Sequence, residues 1–137
     1  MASQLKVDTI TGVTTAGSIS VTGEGNSTTT NLQQGLAKAW VNIDETGTAS
    51  TRDSFAVSGI TDNGTGDFSH AFSNAFANVN HVSSCNSNAT LGNNHNRGTN
   101  FAYALSASSI RHMSCTQDNG SVEDQEAMMV ITFGDLA

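Results

Sequence analysis

The chain has 137 residues, which is enough for one domain and a short extension. Only 12% of its residues are charged, about half the ~25% usual for soluble proteins, and the net charge is −7. The five basic residues are scattered along the sequence, so they argue against a nucleic-acid groove and against attraction to an anionic membrane.

The surface composition indicates an extracellular or virion β protein, because Ser, Thr, Asn and Gly take the place of the missing charges. No stretch approaches the ~20 apolar residues of a membrane span, so we expect no membrane insertion. A basic segment followed by an apolar one is absent from the N-terminus, so we also expect no signal peptide. Release by cell lysis, inside a virus particle, would reconcile these features.

Residues 1–30 carry too few apolar side chains to fold alone. Leu5, Val7 and Ile10 form one short β-prone segment, and Ile19 and Val21 form another. So few side chains cannot offset an ordering cost of roughly 1–2 kcal/mol per residue. We predict an extended N-terminal arm over residues 1–35 that is either disordered or ordered by pairing with a partner. These five residues are its candidate attachment or interface residues.

A short helical turn is predicted between the arm and the domain. Asn31 is placed to cap it, and Gly35 is placed to end it. The remaining domain spans residues 36–137.

The domain alternates between apolar and polar residues with the period of a β-strand. Turns rely on Gly, Asn and Asp, because the chain contains no proline. We expect Phe55 and Val57 to share one strand face, with a bulge at Gly59. The segment of residues 128–133 is apolar on both faces, so we expect it to form a central strand. This pattern predicts an all-β fold, an antiparallel β-sandwich or jelly roll. The alternating sets are Ala39, Val41 and Ile43; Phe68, His70 and Phe72; Phe101, Tyr103 and Leu105.

The histidines and cysteines do not have the spacing of a metal site. No Cys-x-x-Cys pair and no helical His-x-x-x-His pair is present, so we expect no metal. The histidines are expected on polar surface or on strand faces. The two cysteines could form a disulfide, but two small buried thiols are favoured. The residues concerned are His70, His81, His95, His112, Cys85 and Cys115.

Catalytic motifs are also absent. The segment 62–67 has two carboxylates in a Gly-rich loop, but it lacks the spacing of an EF-hand, and a plain hairpin turn is favoured over a calcium site. Neither a nucleophile elbow nor a phosphate-binding glycine loop occurs. We therefore predict a non-enzyme without a cofactor. The acidic run 123–126 is expected to be a solvated loop, and the alternative is an acidic rim at an interface.

Two aromatic residues are candidates for stacking on a sugar. Trp40 and Tyr103 each offer a flat apolar face with a polar edge. The alternative is that both belong to the core or to a subunit interface, and this alternative is favoured.

Three segments resemble small virion proteins encoded by tailed phages, notably marine ones. Ser3–Gly12 contains a KVDTI element that precedes a Gly/Thr-rich arm. Ala37–Ile43, Gly47-Thr48 and Arg52–Phe55 are similar to the same group, as is Ser58–Phe68. The resemblance covers about residues 3–76. The chain departs from the pattern at 44–45 and at 68–71.

The resemblance implies a virion structural protein that forms a homotrimer and projects a β-rich knob. Its partners would be further copies of itself and other virion proteins of the capsid or tail. A capsid decoration or head-fibre protein is the favoured role. The alternative is a short tail fibre that recognises a host surface glycan. The family offers no catalytic residues to carry over.

Overall fold

The structure is a computed structural model that describes residues 4–12, 19–23, 28–88, 98–116 and 120–137. The chain divides into two compact units, Met1–Leu36 and Ala37–Ala137.

The N-terminal unit contains one small hairpin and one helical turn. Strand β1 (Ser20–Thr22) pairs antiparallel with β2 (Thr29–Asn31), and α1 (Leu32–Gly35) follows directly. The Asn31 side-chain oxygen accepts hydrogen bonds from the backbone N–H groups of Gln33 and Gln34, at 2.8 and 3.2 Å. The predicted capped turn is therefore confirmed. None of the described residues of this unit is buried, so this described part contributes no core.

The second unit is a sandwich of two four-stranded antiparallel sheets. The first sheet has the order β4-β3-β10-β7, and the second has the order β5-β6-β9-β8. The all-β antiparallel fold is thus confirmed, and so is the central position of the last strand. The strands are β3 (Ala39–Asp44), β4 (Ser50–Phe55), β5 (Val57–Gly64), β6 (Asp67–Phe72), β7 (Val82–Asn88), β8 (Gly98–Leu105), β9 (Ser109–Thr116) and β10 (Ala127–Phe133).

The core lies between the two sheets and is built from alternate residues of each strand. Val41 and Ile43 of β3 and Met128 of β10 meet Phe68 of the second sheet. Each of these side chains is at most 1% exposed. Full burial of such a side chain contributes roughly 1.5–3 kcal/mol, so these contacts hold the two sheets together.

The chain passes from the first sheet to the second at a single residue, Ala56. Ala56 has a φ of 54°, in the left-handed region. Phe55 therefore ends β4 as an exposed residue, whereas Val57 begins β5 and packs against the core. The expectation that these two residues share one face is wrong, because the corner at Ala56 separates them. The predicted bulge is confirmed, since the β5–β6 register shifts between Val57 and Gly59.

Candidate functional site

The outer face of the first sheet carries exposed apolar side chains. Trp40 on β3 pairs with Phe55 on one side and with Ile131 on the other. Trp40 is 37% exposed and Phe55 is 53% exposed. We call this face the outer patch; its apolar members are Trp40, Phe55, Val82, Met129 and Ile131.

The period of the strands accounts for the outer patch. On β3, Ala39, Val41 and Ile43 point into the core, so Trp40 and Asn42 must point away from it. On β10 the apolar residues on both faces suit a strand that is central within its sheet. One of its faces is covered by the second sheet, and the other contributes to the outer patch.

A shallow groove of about 260 Å³ runs along the outer patch. Its floor is formed by Met129 and Ile131, which pair with β3 on one side and with β7 on the other. Strands β3 and β7 are two inter-strand spacings apart, about 10 Å. The side chains along the groove are uncharged: Trp40, Asn42, Ser84, Asn86, Met129 and Ile131.

Asn42 has hydrogen-bonding capacity that the described part of the chain does not use. Its Oδ1 atom is buried and accepts no hydrogen bond from any described residue. An unpaired buried amide oxygen costs about 1–3 kcal/mol. Asn42 lies opposite Met129, at the groove. The groove thus places an unused amide beside an exposed indole.

The structure does not place the two predicted stacking residues together. Tyr103 belongs to β8, at an edge of the second sheet, whereas Trp40 lies within the first sheet. The side chain of Tyr103 lies outside the described residues. Trp40 is not a core residue, so the core alternative is excluded for it.

The predicted attachment residues all belong to the N-terminal unit. Leu5 is 80% exposed, and Val7, Ile10 and Val21 are each more than half exposed. Ile19 is half-buried and accepts a backbone hydrogen bond from Leu32. Val21 lies in β1, while residues 4–12 form no regular secondary structure.

The interior of the sandwich contains a histidine pair. The rings of His70 and His112 stack with centroids 5.1 Å apart and an interplanar angle of 5°. Burial is the main cause that lowers the pKa of His70 to about 4 and that of His112 to about 3. His81 is buried as well. The expectation of a polar surface position is therefore wrong for all three histidines, whereas the expectation of a position on a strand face is right for His70 and His112. His95 lies outside the described residues.

One histidine of the interior pair lies beside a cysteine. His112 Nδ1 lies 3.2 Å from Cys85 Sγ. Within the described ranges, no group of three or more His, Cys, Asp or Glu side chains is arranged to hold a metal ion. Both cysteines are free thiols, as the favoured alternative predicts. The expected burial is confirmed for Cys115, whereas Cys85 is only partly buried.

The Cys85 thiol is expected to react slowly in the native protein. Burial raises the pKa of Cys85 to about 11, from 9.0. The thiolate is the reactive form, so its population at pH 8 falls on the order of a hundredfold relative to the unfolded chain. Iodoacetamide labelling followed by peptide mass spectrometry should show this difference. Equal labelling rates in native protein and in urea would contradict it.

A buried carboxylate joins the two sheets near the acidic run. Glu45 is 3% exposed, and its two oxygens accept hydrogen bonds from Ser114 Oγ at 3.0 Å and from the Gln125 N–H at 2.8 Å. Burial raises the pKa of the Glu45 carboxyl, against these hydrogen bonds. The run 123–126 is therefore not a fully solvated loop, since Gln125 within it is completely buried.

The two carboxylates of the 62–67 loop are occupied within the protein. Asp67 makes a bidentate ion pair with Arg111, at 2.9 and 2.7 Å. Asp62 accepts backbone hydrogen bonds from Ala49 and Gly64. The loop joins β5 and β6, so the plain hairpin is confirmed.

Comparisons with known proteins gave no match: no family model, curated protein or solved structure is similar to this chain. None of the helices in the described ranges is both long and apolar enough to cross a lipid bilayer.

Proposed function

We propose that this chain is a phage virion structural protein without enzymatic activity. Residues 1–35 attach it to the particle, and the sandwich projects outward as part of a homotrimer. Within this class we favour a capsid decoration or head-fibre protein. Its location is the virion, assembled in the host cytoplasm and released by lysis.

The observation that carries this proposal is the exposed apolar arm. Leu5, Val7 and Ile10 are more than half exposed, and the unit that holds them has no buried residue in its described part. Covering such side chains is favourable by roughly 25 cal/mol per Å² of apolar surface. A partner that offered a free strand edge would add main-chain hydrogen bonds to this gain.

The sandwich, in contrast, has its own core and does not need the arm to fold. Its core clusters consist entirely of residues between Ala39 and Val130. A folded unit that carries an extension without a core is the arrangement expected of a protein that docks through that extension.

Deleting residues 2–30 is expected to leave the sandwich folded but to abolish incorporation into virions. Val7→Asp is expected to reduce incorporation at least about tenfold, because burying a charge at a contact costs more than the 1.4 kcal/mol that corresponds to tenfold. The melting temperature should stay nearly unchanged. Incorporation is measured by quantitative mass spectrometry of purified particles from a complemented deletion phage.

Gln4→Asp is the matched control, because it adds the same charge to an exposed position of the same segment. It should incorporate normally. Normal incorporation of the truncated chain would refute the attachment role. Copy number per virion separates the two locations: hundreds of copies indicate the head, and a few to a few tens indicate the tail.

A short tail fibre that recognises a host surface glycan is the second candidate. The exposed indole of Trp40 on the outer patch favours it. In this role the arm would still attach the chain, and the outer patch would contact the host.

A further inference from the structure

We propose that the groove on the outer patch binds a neutral saccharide, with one sugar ring stacked on Trp40. This inference gives the second candidate function a site and a ligand chemistry. It does not depend on how the arm is used, because it concerns the outer face of the first sheet alone.

The shape and lining of the groove match a small, flat, partly apolar ligand. Ligand sites are mostly apolar with a few polar groups that fix orientation. Here Met129 and Ile131 form an apolar floor, and Trp40 supplies an aromatic face at one wall. The volume of about 260 Å³ is just below the roughly 300–1,000 Å³ of drug-sized sites, which suits one or two sugar rings.

The polar groups of the groove suit hydroxyl groups. Asn42 lies on the same strand face as Trp40, two residues further along β3, and so about 7 Å away. Ser84 and Asn86 line the opposite wall on β7. Amides and hydroxyls both donate and accept, as sugar hydroxyls do. A saccharide can therefore satisfy these groups while its apolar ring face covers the indole.

The charge pattern favours a neutral ligand over an acidic one. The side chains along the groove are uncharged, and Asp53 lies beside Asn42 on the neighbouring strand β4. The chain as a whole has a net charge of −7. An acidic sugar would meet repulsion without a basic residue in the groove to offset it.

A partner with a wholly apolar surface fits less well. Close packing would remove water from Asn42, Ser84 and Asn86 without supplying partners for them. Each buried polar group left unpaired costs about 1–3 kcal/mol, and Asn42 Oδ1 is already in that condition. A saccharide avoids this cost for the exposed Ser84 and Asn86, because it brings its own donors and acceptors.

Trp40 is the only tryptophan of the chain, so its fluorescence reports on the groove directly. We would titrate the full-length protein with neutral oligosaccharides of glucose, galactose, mannose and N-acetylglucosamine. Uronic acid oligosaccharides of equal length are the charged comparison. At least one neutral series should change the indole emission saturably, and the acidic counterparts should bind at least about fivefold more weakly at low salt.

Variants are compared by saturation-transfer NMR, because Trp40→Ala removes the fluorophore. Trp40→Ala should abolish detectable binding, and Trp40→Phe should restore part of it. Asn86→Ala alters an exposed position, so it should keep the fold and weaken binding about fivefold to tenfold, the loss of about 1 kcal/mol per hydrogen bond. Val82→Ala is the control, because Val82 is 68% exposed on the same sheet but does not line the groove.

Three results would overturn the proposal. The first is the absence of any emission change with all neutral saccharides up to tens of millimolar. The second is undiminished binding by Trp40→Ala and Asn86→Ala, which would place the sugar elsewhere. The third is an emission change that follows protein concentration without sugar, which would assign the face to a second copy. None of these results bears on virion incorporation, so the arm proposal is tested separately.

Discussion

Replacing Gly66 with alanine is expected to lower the free energy of unfolding by about 3–5 kcal/mol. Gly66 has a φ of +58°, in the left-handed region. A Cβ atom at this position would lie 2.7 Å from the carbonyl oxygens of both Ser114 and Glu123. These neighbours are backbone atoms and cannot turn aside as a side chain could. The substitution therefore adds a steric conflict to the strained conformation.

Gly47→Ala is the control that separates these two effects. Gly47 also has a positive φ, of +75°, but a Cβ there would meet no atom within 4 Å. Gly47→Ala should therefore lower the free energy of unfolding only by the cost of placing alanine in a left-handed conformation, about 1–2 kcal/mol. Urea unfolding of both variants, followed by Trp40 fluorescence, measures the difference. Equal losses of stability would show that the close approach at Gly66 is not costly.

The Gly66 contact matters because it joins three parts of the sandwich. The Gly66 carbonyl accepts a hydrogen bond from the Ser114 N–H at 2.8 Å, and the Gly66 N–H donates to the Asp124 carboxylate. Ser114 in turn donates to Glu45, which follows directly after β3 of the first sheet. The hairpin between β5 and β6, strand β9 and the acidic run are thus tied together. Loss of the contact should also expose Glu45.

Alternation in the sequence was sufficient to predict most of the strands. On β3 and β6 the apolar residues recur with the period of a strand, so the sequence puts Val41 on one strand face with Ile43, and Phe68 on one strand face with Phe72. The corner at Ala56 could not be predicted in this way. Alanine carries no signal for a left-handed conformation, and the residues on both sides continue the alternation.

Other features depended on contacts between residues far apart in the chain. Gln125 lies among acidic residues, and only the distant Glu45 accounts for its burial. The burial of His70 and His112 similarly depends on the other layer of the sandwich, because a strand face is buried only where another layer covers it.

The candidate site was predictable only in part. Trp40 could be assigned to the face opposite Val41, but sequence alone does not decide which face of a strand meets the core. Asn86 and Ser84 carry no signal, because they reach the groove only through the pairing of β7 with β10. Whether Trp40 and Tyr103 lie close together could not be predicted without knowing the strand order of the two sheets.

Acidification is expected to destabilise the sandwich by on the order of 5 kcal/mol between pH 7 and pH 4. In the folded protein, burial lowers the pKa of His70 to about 4 and that of His112 to about 3. In the unfolded chain both groups titrate near 6.5. Below pH 6.5 the unfolded state therefore binds protons that the folded state does not, and stability falls as the pH falls.

Among the described residues, the groups that contact the pair do not supply a compensating charge. Cys85, which faces His112 from β7, stays a neutral thiol in this range because burial raises its pKa to about 11. The other contacts of the pair are the rings of Phe68 and Phe72, and His81 adds only repulsion to His70. Glu45 acts in the opposite direction, because its raised pKa favours the folded state as the pH falls. The single carboxyl of Glu45 therefore opposes the effect of two histidines on the stability.

The sharpest measurement is the slope of the free energy of unfolding between about pH 6 and pH 4.5. Each histidine that is neutral when folded and protonated when unfolded contributes about 1.4 kcal/mol per pH unit. His70→Phe should lower the wild-type slope by about that amount, and His70→Phe/His112→Phe should lower it by about twice that. The slope is independent of any constant loss from repacking the core. An unchanged slope in the double variant would show that the pair is not held neutral by burial. The two inward-facing histidines would then not be the origin of the acid sensitivity of the fold.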